Sequence, residues 1–134
     1  MKKTPLLNAE LSYIVAAMGH NDGLCVADAG LPIPRVADGP QRVDLAVFPS
    51  LPSFVEVLDA VLSELVVERV ILAEEIRRQN PEILKAVLKR FSGVKAHFIP
   101  HEEFKKAVVD TRAVVRTGEC SPYANIILYS GVVF

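Results

Sequence analysis

Two patterns of apolar residues alternate along the chain. One is a short continuous apolar run with the length of a buried strand. The other has apolar residues three and four positions apart, which is the spacing of one helix face. Glycines confine these runs, as Gly23 and Gly30 do for the run at 24–27. The pattern predicts strands at 24–27, 43–48, 66–73, 94–99 and 113–116, and a last strand or strand pair over 126–134.

Capping residues mark the helix ends. Asn8 is a predicted cap, and Gly19 ends the periodic segment that follows it. Ser53 and Glu56 have the spacing of a capping box, in which each residue bonds the backbone of the other. Asn80 precedes a proline, which fits the first position of a helix. The pattern predicts helices at about 9–18, at about 54–65, from Pro81 to a stop at Gly93, and a short one from 101 through about 109.

Strands and helices alternate along the whole chain. Such alternation is typical of a parallel sheet covered by helices. We therefore expect an α/β fold with one domain over residues 1–134, built as a three-layer α/β/α sandwich around a mostly parallel central sheet. In sheets of this kind, ligands bind at the carboxyl ends of the strands.

Composition adds an expectation about surfaces and partners. Hydrophobic residues make up 51% of the chain, charged residues make up 23%, and the mean hydropathy is +0.31. This apolar content favours a sheet covered on both faces, contacts between subunits, or both. The net charge of −1 gives no electrostatic attraction to nucleic acid. No apolar run approaches the ~18 residues that cross a bilayer, so we expect a cytoplasmic protein with neither nucleic acid nor membrane as a partner.

The polar side chains of chemical interest lie at the predicted ends of strands and helices. Histidine can donate or accept a proton near neutral pH, and amide and phenol groups bind hydroxyls. A sugar requires this mixture, because it presents many uncharged donors and acceptors. Opening its hemiacetal ring also requires removal of the anomeric proton and protonation of the ring oxygen. The candidates are His20, Asp28, His101, Tyr123 and Asn125.

The same residues also allow simpler interpretations. For each histidine taken alone, a capping or surface role is favoured, because polar side chains commonly bind the free backbone groups at helix ends. His20, Asp22, Asp28 and His101 carry donors that suit a metal, but they lack the fixed spacing of a metal motif, so we expect no metal. The pairs Glu74–Glu75, Glu102–Glu103 and Lys105–Lys106 are typical of solvated faces.

Six short blocks carry a more specific signal. They are Gly-His-x-Asp at 19–22, Ala-Asp-Ala-Gly-Leu-Pro-Ile-Pro at 27–34, Arg-Val-Asp-Leu-Ala at 42–46, Leu-Ala-Glu-Glu at 72–75, His-Glu-Glu-Phe at 101–104 and Arg-Thr-Gly-Glu-Cys-Ser-Pro-Tyr-Ala-Asn at 116–125. Together, in this order and spacing, they resemble the D-ribose pyranase and fucose mutarotase family over nearly the whole chain. Parts of the second and sixth blocks are more similar to the ribose branch than to the fucose branch.

The resemblance implies an intramolecular isomerase that interconverts the β-pyranose and β-furanose forms of ribose without a cofactor or a metal. It implies that His20 is the catalytic proton donor and that Asp28 and His101 bind the sugar. The segment Tyr123–Asn125 matches a further part of the sugar site, in which Ala124 acts through its backbone. The resemblance also implies a ring-shaped homo-oligomer, a decamer or a pentamer, with sites between neighbouring subunits.

Two alternative functions follow from the same residues. One is a mutarotase that acts on fucose or another monosaccharide. The other is a non-catalytic sugar-binding module of a transport system, which would bind ribose without accelerating the exchange of its ring forms. A panel of sugars separates the first alternative from the ribose isomerase, and the exchange rate itself separates the second.

Overall fold

The computed structural model describes residues 1–134 and contains one six-stranded sheet and five helices. The strands are β1 (Gly23–Ala27), β2 (Gln41–Asp44), β3 (Val67–Ala73), β4 (Lys95–Ile99), β5 (Ala113–Arg116) and β6 (Ile126–Ser130). The helices are α1 (Ala9–Ala17), α2 (Phe54–Leu62), α3 (Ile76–Gln79), α4 (Pro81–Leu88) and α5 (His101–Val108). The longest helices, α1 and α2, have nine residues each, and no helix has the length and hydropathy needed to span a membrane.

The strand order of the sheet is β2-β5-β1-β6-β3-β4. All adjacent pairs are parallel except the two that involve β6, which runs antiparallel between β1 and β3. Five strands therefore share one direction, which confirms the prediction of a mostly parallel sheet. The central strand β1 is buried at all five positions, as expected for a strand that is covered on both faces.

This topology gives the sheet two distinct ends. At the end that we call the carboxyl end, β1 to β5 finish and the antiparallel β6 begins. At the opposite end, the amino end, those five strands begin and β6 finishes. Residues far apart in sequence meet at the carboxyl end, where Asp28 follows β1 and Asn125 precedes β6, 97 positions later.

Four helices contribute to the core on one face of the sheet. The buried side chains of α1, α2 and α4, with Ile76 of α3, join those of the strands in one hydrophobic core. Each fully buried side chain of this kind contributes roughly 1.5–3 kcal/mol by its removal from water. The helices contribute Leu11, Ile14, Phe54, Leu58, Val61 and Val87 to this core.

A single helix, α5, packs on the other face. Its side chain Phe104 is fully buried in a second core with Cys25, Val114 and Ile127 of the sheet. Helices therefore lie on both faces, and the predicted three-layer sandwich is confirmed, although the second helical layer consists of one short helix. Because Phe104 anchors α5, it also fixes the position of His101, the first residue of that helix.

The predicted helix caps are confirmed. Asn8 accepts a hydrogen bond from the first turn of α1 through its side chain. Ser53 and Glu56 form the predicted capping box, and the hydrogen bonds from the Ser53 backbone and hydroxyl lower the pKa of Glu56 below its ordinary value. Asn80 caps α4 by accepting a hydrogen bond from the backbone N–H of Ile83 at 3.3 Å.

Two strands end earlier than the apolar pattern predicts. β2 ends at Asp44 rather than at 48, because its neighbour β5 ends at Arg116, which lies opposite Asp44. β6 ends at Ser130 rather than at 134, because its partner β3 begins at Val67, opposite Ser130. A strand extends only as far as a neighbour satisfies its backbone groups, and the apolar pattern carries no information about where the neighbour ends.

Two predicted helices are also shorter, and α3 is absent from the prediction. α2 ends at Leu62 and α4 at Leu88, and tighter bonds follow, such as Glu64 N–H to the Val61 carbonyl at 3.1 Å. Bonds of this three-residue spacing are common in the last turn of a helix. α3 is one turn in which only Ile76 is buried, so its sequence shows no apolar period.

Replacing Phe104 with alanine is expected to lower the free energy of unfolding by about 3–5 kcal/mol. Phe104 is fully buried, and no second helix packs beside α5 to fill the cavity that the substitution leaves. Urea unfolding followed by circular dichroism measures the change.

Val109→Ala is the matched control, because Val109 is the C-cap residue of the same helix and is 38% exposed. Its effect should stay within about 0.5 kcal/mol. A loss below about 1 kcal/mol at Phe104 would contradict the role of α5 as the cover of this face.

Candidate active site

A cavity of about 600 Å³ opens at the carboxyl end of the sheet. This volume lies within the range of about 300–1,000 Å³ that is typical of small-molecule sites. Three segments form the cavity: the loop after β1, the start of α5 and the segment that precedes β6. Its lining consists of residues 28–32, His101, residues 119–123 and Asn125.

Asp28 and Asn125 are joined by two hydrogen bonds. The backbone N–H of Asp28 donates to Asn125 Oδ1 at 2.9 Å, and Asn125 Nδ2 donates to Asp28 Oδ2 at 2.7 Å. The other carboxylate oxygen of Asp28 accepts from the backbone N–H of Gly30 at 2.9 Å. Asn125 is only 1% exposed. The Asp28 carboxylate is therefore held in one orientation at the cavity wall.

His101 begins α5 and is held by its backbone and by its ring. Its backbone N–H lies 3.1 and 3.0 Å from the two carboxylate oxygens of Glu75, which cap the helix in place of a side chain at Pro100. Its ring stacks with Phe104 at a centroid distance of 6.3 Å and forms a T-shaped pair with the Tyr123 ring at a centroid distance of 5.1 Å. The Nδ1 atom is buried and has no hydrogen-bond partner in the chain. Buried polar atoms normally have a partner, so this unpaired atom in a residue that lines the cavity makes His101 a candidate ligand contact.

Glu119 braces the turn that lines the cavity opposite Asp28. Its Oε1 accepts from the backbone N–H of Ser121 at 3.0 Å and from the Ser121 hydroxyl at 2.8 Å. Burial acts to raise the pKa of Glu119, but hydrogen bonds from Ser121 and from the backbone of Phe54 and Cys120 outweigh it and hold the pKa below its ordinary value. Glu119 is thus a charged brace whose hydrogen-bonding capacity is used within the chain.

Asn80 supports the same turn from the side of α4. Its Nδ2 donates to Ser121 Oγ and to the Pro122 carbonyl, both at 2.9 Å. The next residue, Tyr123, has a φ of 59°, in the left-handed region that costs roughly 1–2 kcal/mol for a residue with a side chain. The Asn125 N–H then donates to the Tyr123 carbonyl at 2.8 Å. These bonds fix the strained backbone that carries Tyr123 and Asn125 to the cavity.

The segment that enters this turn is attached to β1 and to the loop after β2. Thr117 donates to the Ala27 carbonyl from its backbone N–H at 2.9 Å and from its hydroxyl at 2.8 Å. At Gly118, a Cβ atom would lie 2.5 Å from the Phe48 carbonyl oxygen, so the close approach of the two backbones requires glycine.

Four of the predicted site residues line this one cavity. They are Asp28, His101, Tyr123 and Asn125. Ala124 lies between two of them, but it is fully buried and its side chain belongs to the hydrophobic core.

His20 lies at the amino end of the sheet, outside the cavity. It precedes β1 whereas Asp28 follows it, and the five residues of β1, at about 3.3 Å each, separate them by roughly 16 Å. The His20 side chain is 48% exposed, and its Nε2 lies 2.8 Å from Glu68 Oε2. Within one chain, His20 therefore does not reach the cavity.

Sequence reasoning missed two acidic side chains that support the site. The pattern places Glu75 on a solvated face, but its carboxylate binds the backbone N–H of His101. Glu119 belongs to the block at 116–125, and its position next to candidate residues was the available signal. Glu102 and Glu103 do form exposed ion pairs with lysines one helix turn later, as expected of a solvated face.

Comparison with known proteins gives full-length matches. The family model described as the RbsD / FucU transport protein family matches residues 1–133. A Lactiplantibacillus plantarum protein named D-ribose pyranase is 52% identical over 134 residues, with 100% of both chains covered. A Haemophilus influenzae protein of the same name is 51% identical over 142 residues, also with 100% of both chains covered.

A solved structure, that of Bacillus subtilis RbsD complexed with D-ribose, has the same fold as this chain. It superposes with a TM-score of 0.94 at 45% sequence identity and covers 100% of both chains. From the family model, the full-length relatives and this structural match, we conclude that the chain belongs to the RbsD / FucU transport protein family.

Proposed function

We propose that this protein is an intramolecular isomerase that interconverts the β-pyranose and β-furanose forms of D-ribose. The observation that carries the proposal is the cavity itself, where Asp28, His101 and Asn125 present fixed polar groups and His101 Nδ1 has no partner within the chain. Relatives of about half identical sequence that are named D-ribose pyranase support the reaction. A structure of 45% identity with D-ribose bound supports the sugar.

The reaction requires only proton transfers and one exchange of C–O bonds. In the pyranose, the anomeric hydroxyl loses its proton, the C1–O5 bond breaks to give the open-chain aldehyde, and O5 gains a proton. After rotation about the chain, O4 attacks C1 and loses its proton, and the former carbonyl oxygen gains one. The products contain the same atoms as the substrate, so a proton donor and a proton acceptor suffice. Positioned groups of this kind typically accelerate a reaction by about 10²- to 10⁴-fold.

The cavity residues divide into groups that orient the sugar and groups that move protons. The Asp28 carboxylate accepts hydrogen bonds from sugar hydroxyls or shares in the proton transfer, and the imidazole of His101 binds a further hydroxyl. Tyr123 and Asn125 complete the contacts through their side chains, and Ala124 contributes through its backbone. Carboxylate, imidazole, phenol and amide groups all form hydrogen bonds with hydroxyls, which suits a sugar.

His20 supplies the proton donor in this proposal, and a second copy of the chain brings it to the cavity. The cavity of one chain lies at the carboxyl end of its sheet, and His20 lies about 16 Å away at the amino end. An interface between copies that joins these two ends gives each site a histidine from its neighbour. Repetition of such a head-to-tail contact closes a ring. We therefore propose a ring-shaped homo-oligomer, a pentamer or a decamer.

An exposed apolar patch beside the cavity supports this assembly. Val47, Phe48 and Leu51 are 80%, 69% and 54% exposed. Val47 and Phe48 line a groove with Ala29 and Cys120, two residues that also line the cavity. Apolar patches of this kind mark interaction surfaces, and a second copy that covers this patch would stand at the rim of the site.

We also propose that the protein acts in the cytoplasm. Cys25 and Cys120 are both free. Burial, aided by the charge of Asp28, raises the pKa of the Cys25 thiol far above its ordinary value, so Cys25 is an inert core residue. Free thiols fit a reducing compartment.

Replacing His20 with alanine is expected to lower the catalysed exchange of ribose ring forms by roughly 100-fold or more, because the proton donor is lost. His20 lies on an exposed turn, so the fold and the binding of ribose should be preserved. Saturation-transfer NMR between the pyranose and furanose signals measures the exchange, and calorimetry measures the binding.

The same measurement on a panel of sugars tests the alternatives. Faster exchange of fucose than of ribose would identify a mutarotase of another sugar. Ribose binding without any acceleration between pH 5 and 8 would identify a non-catalytic module. Undiminished exchange in the His20→Ala protein would refute the role of His20.

Co-expression of the His20→Ala and Asp28→Ala chains is expected to restore activity that neither variant has alone. If each site takes His20 from one copy and Asp28 from another, random mixing leaves about one quarter of the sites with both residues. Two different affinity tags isolate the mixed oligomers, and the exchange rate per chain measures the recovery.

His20→Ala mixed with His20→Gln is the matched control and should stay inactive. Absence of recovery in mixed oligomers that contain both Asp28→Ala and His20→Ala chains would show that the two residues do not combine across an interface.

A further inference from the structure

His20 has a single side-chain partner, the carboxylate of Glu68. The imidazole Nε2 lies 2.8 Å from Glu68 Oε2, and Nδ1 makes no hydrogen bond within the chain. Glu68 is the second residue of β3 and lies at the bulge where the pairing with β6 shifts between Val67 and Arg69, whereas His20 stands on the turn between α1 and β1. The imidazole therefore takes its orientation from a group at the start of a sheet strand.

The backbone of the turn is fixed independently of this pair. The Asn21 N–H donates to the Ser130 carbonyl at 2.9 Å, and the Ser130 hydroxyl bonds the carbonyls of Gly19 and Asp22. Asn21 has a φ of 65°, a left-handed conformation that asparagine tolerates better than most residues. These contacts hold the main chain around His20 but leave the torsions of its ring free. The only side-chain hydrogen bond that restrains them is the one to Glu68.

The neighbouring charged groups are engaged elsewhere. The Asp22 carboxylate accepts from the Gly19 N–H at 2.8 Å and pairs with Arg112 at 2.9 Å. The guanidinium of Arg69, next to Glu68 on β3, lies 3.5 Å from the centroid of the Tyr129 ring. Glu68 forms no ion pair with a lysine or an arginine. The imidazole of His20 is thus the ion-pair partner of the Glu68 carboxylate.

The geometry determines which nitrogen carries the proton. A carboxylate only accepts hydrogen bonds, so at 2.8 Å the imidazole Nε2 must be the donor. In the neutral ring, Nδ1 then has the free lone pair, and in the charged ring it has the second N–H. Nδ1 is the atom at which His20 can gain and lose a proton while the bond to Glu68 persists.

We propose that Glu68 is a positioning residue for His20, which holds the proton on Nε2 and presents Nδ1 as the atom that exchanges a proton with the sugar. This inference rests on the proposed function, in which His20 is the proton donor. In this inference, Glu68 acts through His20. It acts by fixing the ring and by stabilising the charge that the ring carries before it donates.

Replacing Glu68 with alanine is expected to lower kcat for ribose ring exchange about three- to fivefold while KM changes less than about twofold. The pair is about half exposed, so its loss should have the effect of one exposed charged hydrogen bond on the barrier. Saturation-transfer NMR at several ribose concentrations separates kcat from KM. Glu10→Ala is the matched control, because Glu10 is also an exposed glutamate with one side-chain partner, Gln41 Nε2 at 2.7 Å. It should leave both constants unchanged.

Nitrogen NMR of the histidine rings tests the geometry without sugar or activity. In the wild-type protein, the neutral His20 ring should show one tautomer, with a protonated Nε2 and an unprotonated Nδ1. In the Glu68→Ala protein, the second tautomer should appear, whereas the signals of His97 and His101 should not change.

The two measurements separate the failure of this inference from that of the proposed function. An inactive His20→Ala protein combined with a wild-type kcat for Glu68→Ala would overturn the inference and leave the function standing. A mixture of tautomers in the wild-type protein would also overturn it. An active His20→Ala protein would refute the catalytic role of His20, on which the inference rests, whatever the tautomer.

Discussion

The paired hydrogen bonds between Asp28 and Asn125 are the constraint on which the candidate site depends. They connect the exit of β1 to the entrance of β6, two points 97 positions apart in the chain. A hydrogen bond to a charged group is worth about 1.5–3 kcal/mol, and leaving the buried amide unpaired would cost a similar amount. The same bonds that close this part of the fold therefore orient the carboxylate that faces the cavity.

The rest of the cavity wall is held in place by side chains that form their hydrogen bonds within the protein. Glu119 and Asn80 hold the turn at 119–122, and Glu75 holds the first residue of α5. The lining groups that keep hydrogen-bonding capacity for a ligand are those of Asp28, His101, Tyr123 and Asn125. This division, in which one set of polar groups is satisfied internally and another faces the cavity, is how a rigid scaffold prepares a site for a neutral ligand.

The antiparallel β6 explains why the candidate residues separate into two places. Five strands run in one direction, so every residue that follows a strand lies at the carboxyl end and every residue that precedes one lies at the amino end. Asn125 precedes β6 and yet lies at the carboxyl end of the sheet, because β6 runs in the opposite direction. His20 precedes β1, which is not reversed, and therefore lies with Glu68 at the other end. A site that uses both ends needs two chains.

The sequence by itself determined the alternation of elements, the caps at Asn8, Ser53 and Asn80, and the polar residues at element ends, because all of these depend on contacts between near neighbours in the chain. It also carried the family resemblance through its short blocks. Only the tertiary structure decided that β6 is reversed, that β2 and β6 end where their partners end, and that Glu75 caps α5. Each of these depends on which distant segment supplies the hydrogen-bonding partner. The distance between His20 and the cavity was also decided only by the tertiary structure, because it follows from the direction of β1 within the sheet.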